Sequence, residues 1–164
     1  MKFYYAVPLV LFLAGCCAAQ QPTSAKDTGK IIRLDPAFDA IVPKDAKIEK
    51  IAGGFTFTEG PVWRPEGVLW FSDVPGNLVR SITPGGLVNV IIENAGGTPV
   101  NPPRGAFVGP NGMISDKDGA VLLCQHTNRQ IVRVTKELKM TPYIDKFEGH
   151  RLNSPNDLVY RSDG

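Results

Sequence analysis

Three proline-centred openings recur along this chain and limit it to few architectures. Gly60-Pro61-Val62, Gly109-Pro110-Asn111 and Ser154-Pro155-Asn156 begin similar segments, with their prolines 49 and 45 residues apart. Each opening leads into a turn suited to a hairpin: Pro65-Glu66-Gly67, Asp116-Lys117-Asp118-Gly119 and Arg161-Ser162-Asp163-Gly164. The first two turns are followed by an apolar strand, a polar link with Asn77 or Asn128, and a strand carrying Arg80 or Arg133. A recurring unit of about 45 residues with four short strands has the spacing of a β-propeller blade. An immunoglobulin-like sandwich also spaces its strands evenly, but it does not explain the same opening in each unit.

The apolar runs between these markers are short and rich in β-branched and aromatic residues, at 68–72, 78–82, 87–92, 120–124 and 130–135. Gly, Pro, Asn and Asp bound them. No segment holds a helical period over three turns, so the expected class is all-β. The 164 residues contain two complete units and the opening strand of a third, ending on the turn residue Gly164. Propellers have about 4 to 8 blades, so these units are expected to form part of a larger propeller.

Charge excludes one class of partner. The 18 Lys and Arg are offset by 16 Asp and Glu, and they are scattered rather than clustered. No footprint for a phosphate backbone results, and nucleic acid is not an expected partner.

Residues 1–19 differ from the rest: Lys2, an apolar stretch over 3–14, then small residues, the layout of an export signal. The apolar part is short for a bilayer span. Leu13-Ala14-Gly15-Cys16 is similar to a bacterial lipobox, which would place a lipid on Cys16. Ordinary cleavage after Ala19 is the competing route. Either one predicts an exported protein of the periplasm or cell envelope, touching a membrane only through the lipid. Residues 20–30 read as a polar tether and 31–164 as the partial propeller. Only Cys124 of the three cysteines then lies in the folded part, where its apolar run predicts a buried structural thiol.

The innermost strand of each propeller blade lines a central channel, so the repeat openings are where ligand groups converge. Glu59, Asn111, and Asn156 with Asp157 stand there. One carboxylate with amide oxygens suits a hard divalent cation, Ca²⁺ before Mg²⁺ or Mn²⁺. Asn111 also fits a plain turn residue, since Gly112 follows it. Glu59 does not, because glutamate is no turn former and sits between Phe57 and Trp63.

The segments Thr58-Glu59-Gly60-Pro61-Val62-Trp63, Leu69-Trp70-Phe71-Ser72-Asp73, Gly109-Pro110-Asn111-Gly112 and Arg151-Leu152-Asn153-Ser154-Pro155-Asn156-Asp157 carry a resemblance. The chain, from about residue 45 on, resembles the gluconolactonase family, which includes regucalcin, the senescence marker protein. The resemblance implies a six-bladed propeller with one divalent cation at the channel mouth, Zn²⁺ also being a candidate, and hydrolysis of sugar lactones or related esters. By motif position, Glu59 and Asn156 would hold the metal. Asp157 would be a catalytic carboxylate that orients them. Asn111, Arg151 and Asn153 would contact a polyhydroxylated substrate, and Arg151 and Asn153 equally fit a solvated loop. His126 is either a catalytic group at the channel or a hydrogen-bonded structural residue. The family's remaining ligands, an Asn and an Asp, belong to blades beyond this chain. A noncatalytic envelope propeller that binds a sugar or protein partner, and an enzyme acting on phosphoesters, are the rival readings.

Overall fold

The repeat becomes two four-stranded antiparallel sheets. A computed structural model describes residues 29–98 and 106–163. The export signal, the lipid acceptor Cys16 and the tether up to residue 28 lie outside the described residues. A short 3-10 turn, Pro36–Ala40, follows the entry of the chain, with Asp35 accepting from the Ala37 N–H at 2.7 Å as its cap.

The first sheet comprises β1 (Thr58–Trp63), β2 (Leu69–Asp73), β3 (Leu78–Ile82) and β4 (Val88–Glu93), in that spatial order. The second comprises β5 (Pro110–Ser115), β6 (Val121–Gln125), β7 (Gln130–Val134) and β8 (Met140–Ile144), again in order. Such meanders, packed face to face through their inner strands, are propeller blades. A short hairpin of β9 (Lys146–Phe147) and β10 (His150–Arg151) sits in the crossing that follows. All five apolar runs match their strands within one residue, because Gly and Asp in the turns fix both ends. Gly67 and Gly119 take φ of 80° and 79°, where a side chain would strain the backbone.

The phase of the repeat differs from that suggested by the prolines. Arg64 accepts from the Gly67 N–H and donates to Val68, and Asp116 makes the same pair with Gly119 and Ala120. Arg64 and Asp116 therefore occupy one position, 52 residues apart. The ladder agrees, with Trp63 opposite Leu69 and Ser115 opposite Val121. In this register Asn77 corresponds to Arg129, both at positive φ (55° and 57°), rather than to Asn128. Arg80 corresponds to Val132, not Arg133.

Val62, Val79 and Ile92 of the first blade meet Met113, Val121, Leu123, Val132 and Val134 of the second in one core. Strand β6 is buried at every position because both its faces are covered. Val121 and Leu123 face that core, while Leu122 lines the opposite cleft with Leu158 and Val159 of the third opening. The third opening lies beside β5, attached through the Gly112 N–H donating to the Asn156 carbonyl at 2.8 Å. It forms no ladder of its own among the described residues, and Pro155 has no N–H to contribute to one. Also among the described residues, no helix is long and apolar enough to cross a membrane.

Candidate functional site

Antiparallel order places the starts of β1 and β5, the β2–β3 and β6–β7 turns, and both blade crossings at one end. In the register of 52, Thr58-Glu59-Gly60 is equivalent to Pro110-Asn111-Gly112. The third unit follows through its contacts: Gly60 packs against the Asn111 carbonyl, and Gly112 packs against Asn156 and Asp157 in the same way. Glu59, Asn111 and Asn156 thus hold one equivalent position on three successive openings. A Cβ on Gly60 would collide with the Asn111 carbonyl, and one on Gly112 with the Asp157 carboxylate. These two glycines allow the close approach that brings neighbouring openings together.

Each of the first two openings also carries a bulge at the same place. The register shifts between Glu59 and Val62 against β2, and between Pro110 and Met113 against β6. Bulges re-aim side chains and recur beside active sites. Glu59 directly precedes one bulge and Asn111 lies inside the other.

Asn111 is the best-fixed candidate, 4% exposed. Its backbone carbonyl accepts from the Ser72 hydroxyl at 2.7 Å, a tie between the two blades. Its side-chain Nδ2 lies 3.0 Å from His126 Nε2, and His126 Nδ1 lies 3.3 Å from the Phe107 carbonyl. That carbonyl only accepts, so Nδ1 carries a proton, and Nε2 is read as accepting from the Asn111 amide. His126 is therefore a bridge, not a lone histidine.

The other candidates are held more loosely. Glu59 is half-buried and lines an open, largely apolar cleft of about 420 Å³ with Phe55, Pro61, Leu69, Phe71 and Ile82. Asp157 is exposed, and its Oδ1 accepts from the Leu158 N–H at 2.9 Å. Arg151 reaches the Asn128 carbonyl at 3.2 Å, so it braces the loop around the mouth. Asn153 and the side chain of Asn156 are exposed, with no hydrogen bond among the described residues. The candidates share one end of the sheets, and Glu59 is the one that lines the cleft just described.

Several residues that build this end lie outside the candidate set. Gln125, 2% exposed, donates to the Ala95 carbonyl at 2.6 Å and accepts from Asn128 and Gln130. Asn77 accepts from the Gly96 N–H and donates to the Gly97 carbonyl, both at 2.8 Å. Arg129 ties the second crossing through the Leu152 carbonyl at 2.8 Å. The positive φ shared by Asn77 and Arg129 has a sequence signal only at Asn77, since asparagine tolerates that region.

As a donor set, one carboxylate and two amides at equivalent positions fit a hard cation in kind. Among the described residues, no three His, Cys, Asp or Glu side chains cluster as a metal site. The fit thus rests on amide oxygens together with Glu59.

Fold and site together define a β-propeller whose inner-strand openings present oxygen-bearing side chains at one end. The chain belongs to the SMP-30/Gluconolactonase/LRE-like region family, whose model matches residues 57–164. It is 35% identical over 152 residues to the gluconolactonase of Zymomonas mobilis subsp. mobilis (strain ATCC 31821 / ZM4 / CP4), covering 90% of this chain and 42% of that protein. It thus spans less than half the length of that curated relative. Among solved structures it is similar to a gluconolactonase from Xanthomonas campestris, with TM-score 0.69 and 26% identity over 87% of this chain and 45% of that one. A gluconolactonase-like protein solved by structural genomics gives TM-score 0.65 and 30% identity, covering 80% of this chain and 42% of the other.

Proposed function

We propose that this chain supplies the first metal-binding and substrate-binding groups of a hydrolase acting on sugar lactones. The observation that carries the reading is the equivalence of Glu59, Asn111 and Asn156 on successive openings. Membership of the family and likeness to proteins named gluconolactonases support the same substrate class.

Glu59 and Asn156 would hold a divalent cation, Ca²⁺ being the best match to oxygen donors alone. The chemistry such a cation supplies is polarisation of the lactone carbonyl and neutralisation of the oxyanion that forms. Around it the chain's own residues position and exclude. Asn111 offers an amide held at Nδ2 by His126, with its backbone carbonyl held by Ser72, and Gly60 and Gly112 keep neighbouring openings in contact. Asp157 lies against Gly112 and orients the third opening, which makes it a positioning carboxylate in this reading. Two ligand positions give far fewer than the roughly 6 to 8 oxygens Ca²⁺ takes, so the remaining ligands are expected from further blades and water.

The test is Glu59→Gln in the full-length protein, which keeps the shape and removes the charge. Hydrolysis of D-glucono-δ-lactone should fall at least about a hundredfold, the scale of losing a principal electrostatic group, with the thermal unfolding midpoint retained. Undiminished hydrolysis would remove Glu59 from the site and favour a noncatalytic propeller or another reacting centre.

A further inference from the structure

The Asn111–His126 pair has a polarity that no part of the reading above uses. His126 is pinned at three atoms, two of them in the imidazole. Nδ1 donates to the Phe107 carbonyl at 3.3 Å, the backbone N–H donates to the Gly109 carbonyl at 3.4 Å, and Nε2 accepts from Asn111 at 3.0 Å. Phe107 is itself stacked edge-on against Phe57 at 5.5 Å, which ties this carbonyl to the start of the first blade. With one Nδ2 N–H engaged, the Asn111 side chain keeps its second N–H and Oδ1, to which no described residue donates. A carboxamide free to rotate offers either a donor or an acceptor. This one keeps Oδ1 clear of His126 as an acceptor, because rotation would set the amide oxygen against the Nε2 lone pair.

We propose that His126 is a positioning residue that fixes the Asn111 carboxamide, so that Oδ1 receives a hydroxyl group of a polyhydroxylated lactone. This rests on the lactone-hydrolase reading and narrows it. The subsite selects substrates with a hydroxyl donor at that point over deoxygenated ones, since an acceptor left unpaired there costs binding. His126 acts through Asn111 and does not touch the reacting atoms.

The experiment compares D-glucono-δ-lactone with δ-valerolactone, which lacks the hydroxyls, on the full-length protein and its His126→Phe variant. Phenylalanine keeps the ring and removes both side-chain hydrogen bonds. The expected result is a loss in kcat/KM about tenfold larger for glucono-δ-lactone than for δ-valerolactone, carried by KM. Asn111→Ala should show the same bias, and the double variant should lose no more than the larger single loss. Equal losses on the two lactones, or additive losses in the double variant, overturn the proposal. Should His126→Phe fail to fold, His126→Asn is the substitute, because its shorter side chain cannot reach both partners; it should give the same bias. If the wild-type protein hydrolyses neither lactone, the hydrolase reading fails separately. The subsite is then read by calorimetric titration with sodium gluconate: about tenfold weaker binding in the variant upholds it, and equal or absent binding in both proteins overturns it.

Discussion

Cys124 is wholly buried in β6, on the face turned toward the third opening. Burial pushes its thiol up to about 12, and the negative charge of Asp157 adds to the effect. A thiol held neutral is no nucleophile, so native protein should leave Cys124 unmodified by iodoacetamide at pH 8, with labelling appearing only on unfolding. Fast labelling of folded protein would contradict the packing of β6. The sign for stability follows from the same shift. The unfolded thiol ionises above about pH 9 while the folded one does not, so this group favours unfolding increasingly between pH 9 and about 12. This burial was legible in the sequence, because an apolar run surrounds the cysteine. The bridging role of His126 was not, because Asn111 and Phe107 meet it only once two blades and a crossing loop are folded.

Strand limits were readable because turn chemistry is local. The phase of the repeat was not, because it is set between elements. Pro61 falls within the first bulge, whereas Pro110 precedes the second, so matching prolines offsets the blades by three residues. The better marker was Gly67 with Gly119, whose positive φ pins equivalent turns. A second contact between elements also escaped the sequence. Arg64, 1% exposed, leaves the end of β1 and donates to Gly119 O at 2.6 Å and Ser115 Oγ at 3.2 Å in the second blade, with its guanidinium 4.7 Å from the Trp70 ring centre. Its Nε is buried without a hydrogen-bond partner. Two charge-assisted bonds, worth about 1.5–3 kcal/mol each, outweigh one unpaired N–H of about 1–3 kcal/mol. Arg64→Met, which fills the stem and strands both acceptors, should destabilise the full-length protein by about 1–3 kcal/mol in urea unfolding. A neutral or stabilising result would mean that the unpaired Nε and the cost of burying the charge dominate.

At the scale of the molecule, the two blades and a third opening bring Glu59, Asn111 and Asn156 to equivalent positions at one end, and the motifs around all three were legible in the sequence. In the proposed metal site the remaining ligands are expected from outside this chain, which spans 42% of its curated relative. We also propose export to the cell envelope, on the strength of the leader and the Cys16 lipobox. Cys16→Ser should move the full-length protein from the membrane fraction to the soluble envelope fraction. An unaltered distribution would favour cleavage after Ala19 or another mode of attachment. The equivalence of Glu59 with the two asparagines has a more immediate consequence, since it makes Glu59 the only carboxylate among the three positions of the proposed cation site. Calorimetric titration of Ca²⁺ into full-length protein and its Glu59→Gln variant measures this without catalysis. The expected result is one site in the wild type and affinity at least about tenfold lower in the variant, a difference of about 1.4 kcal/mol. Equal affinity in the two proteins would contradict the assignment of Glu59 and with it the proposed metal site.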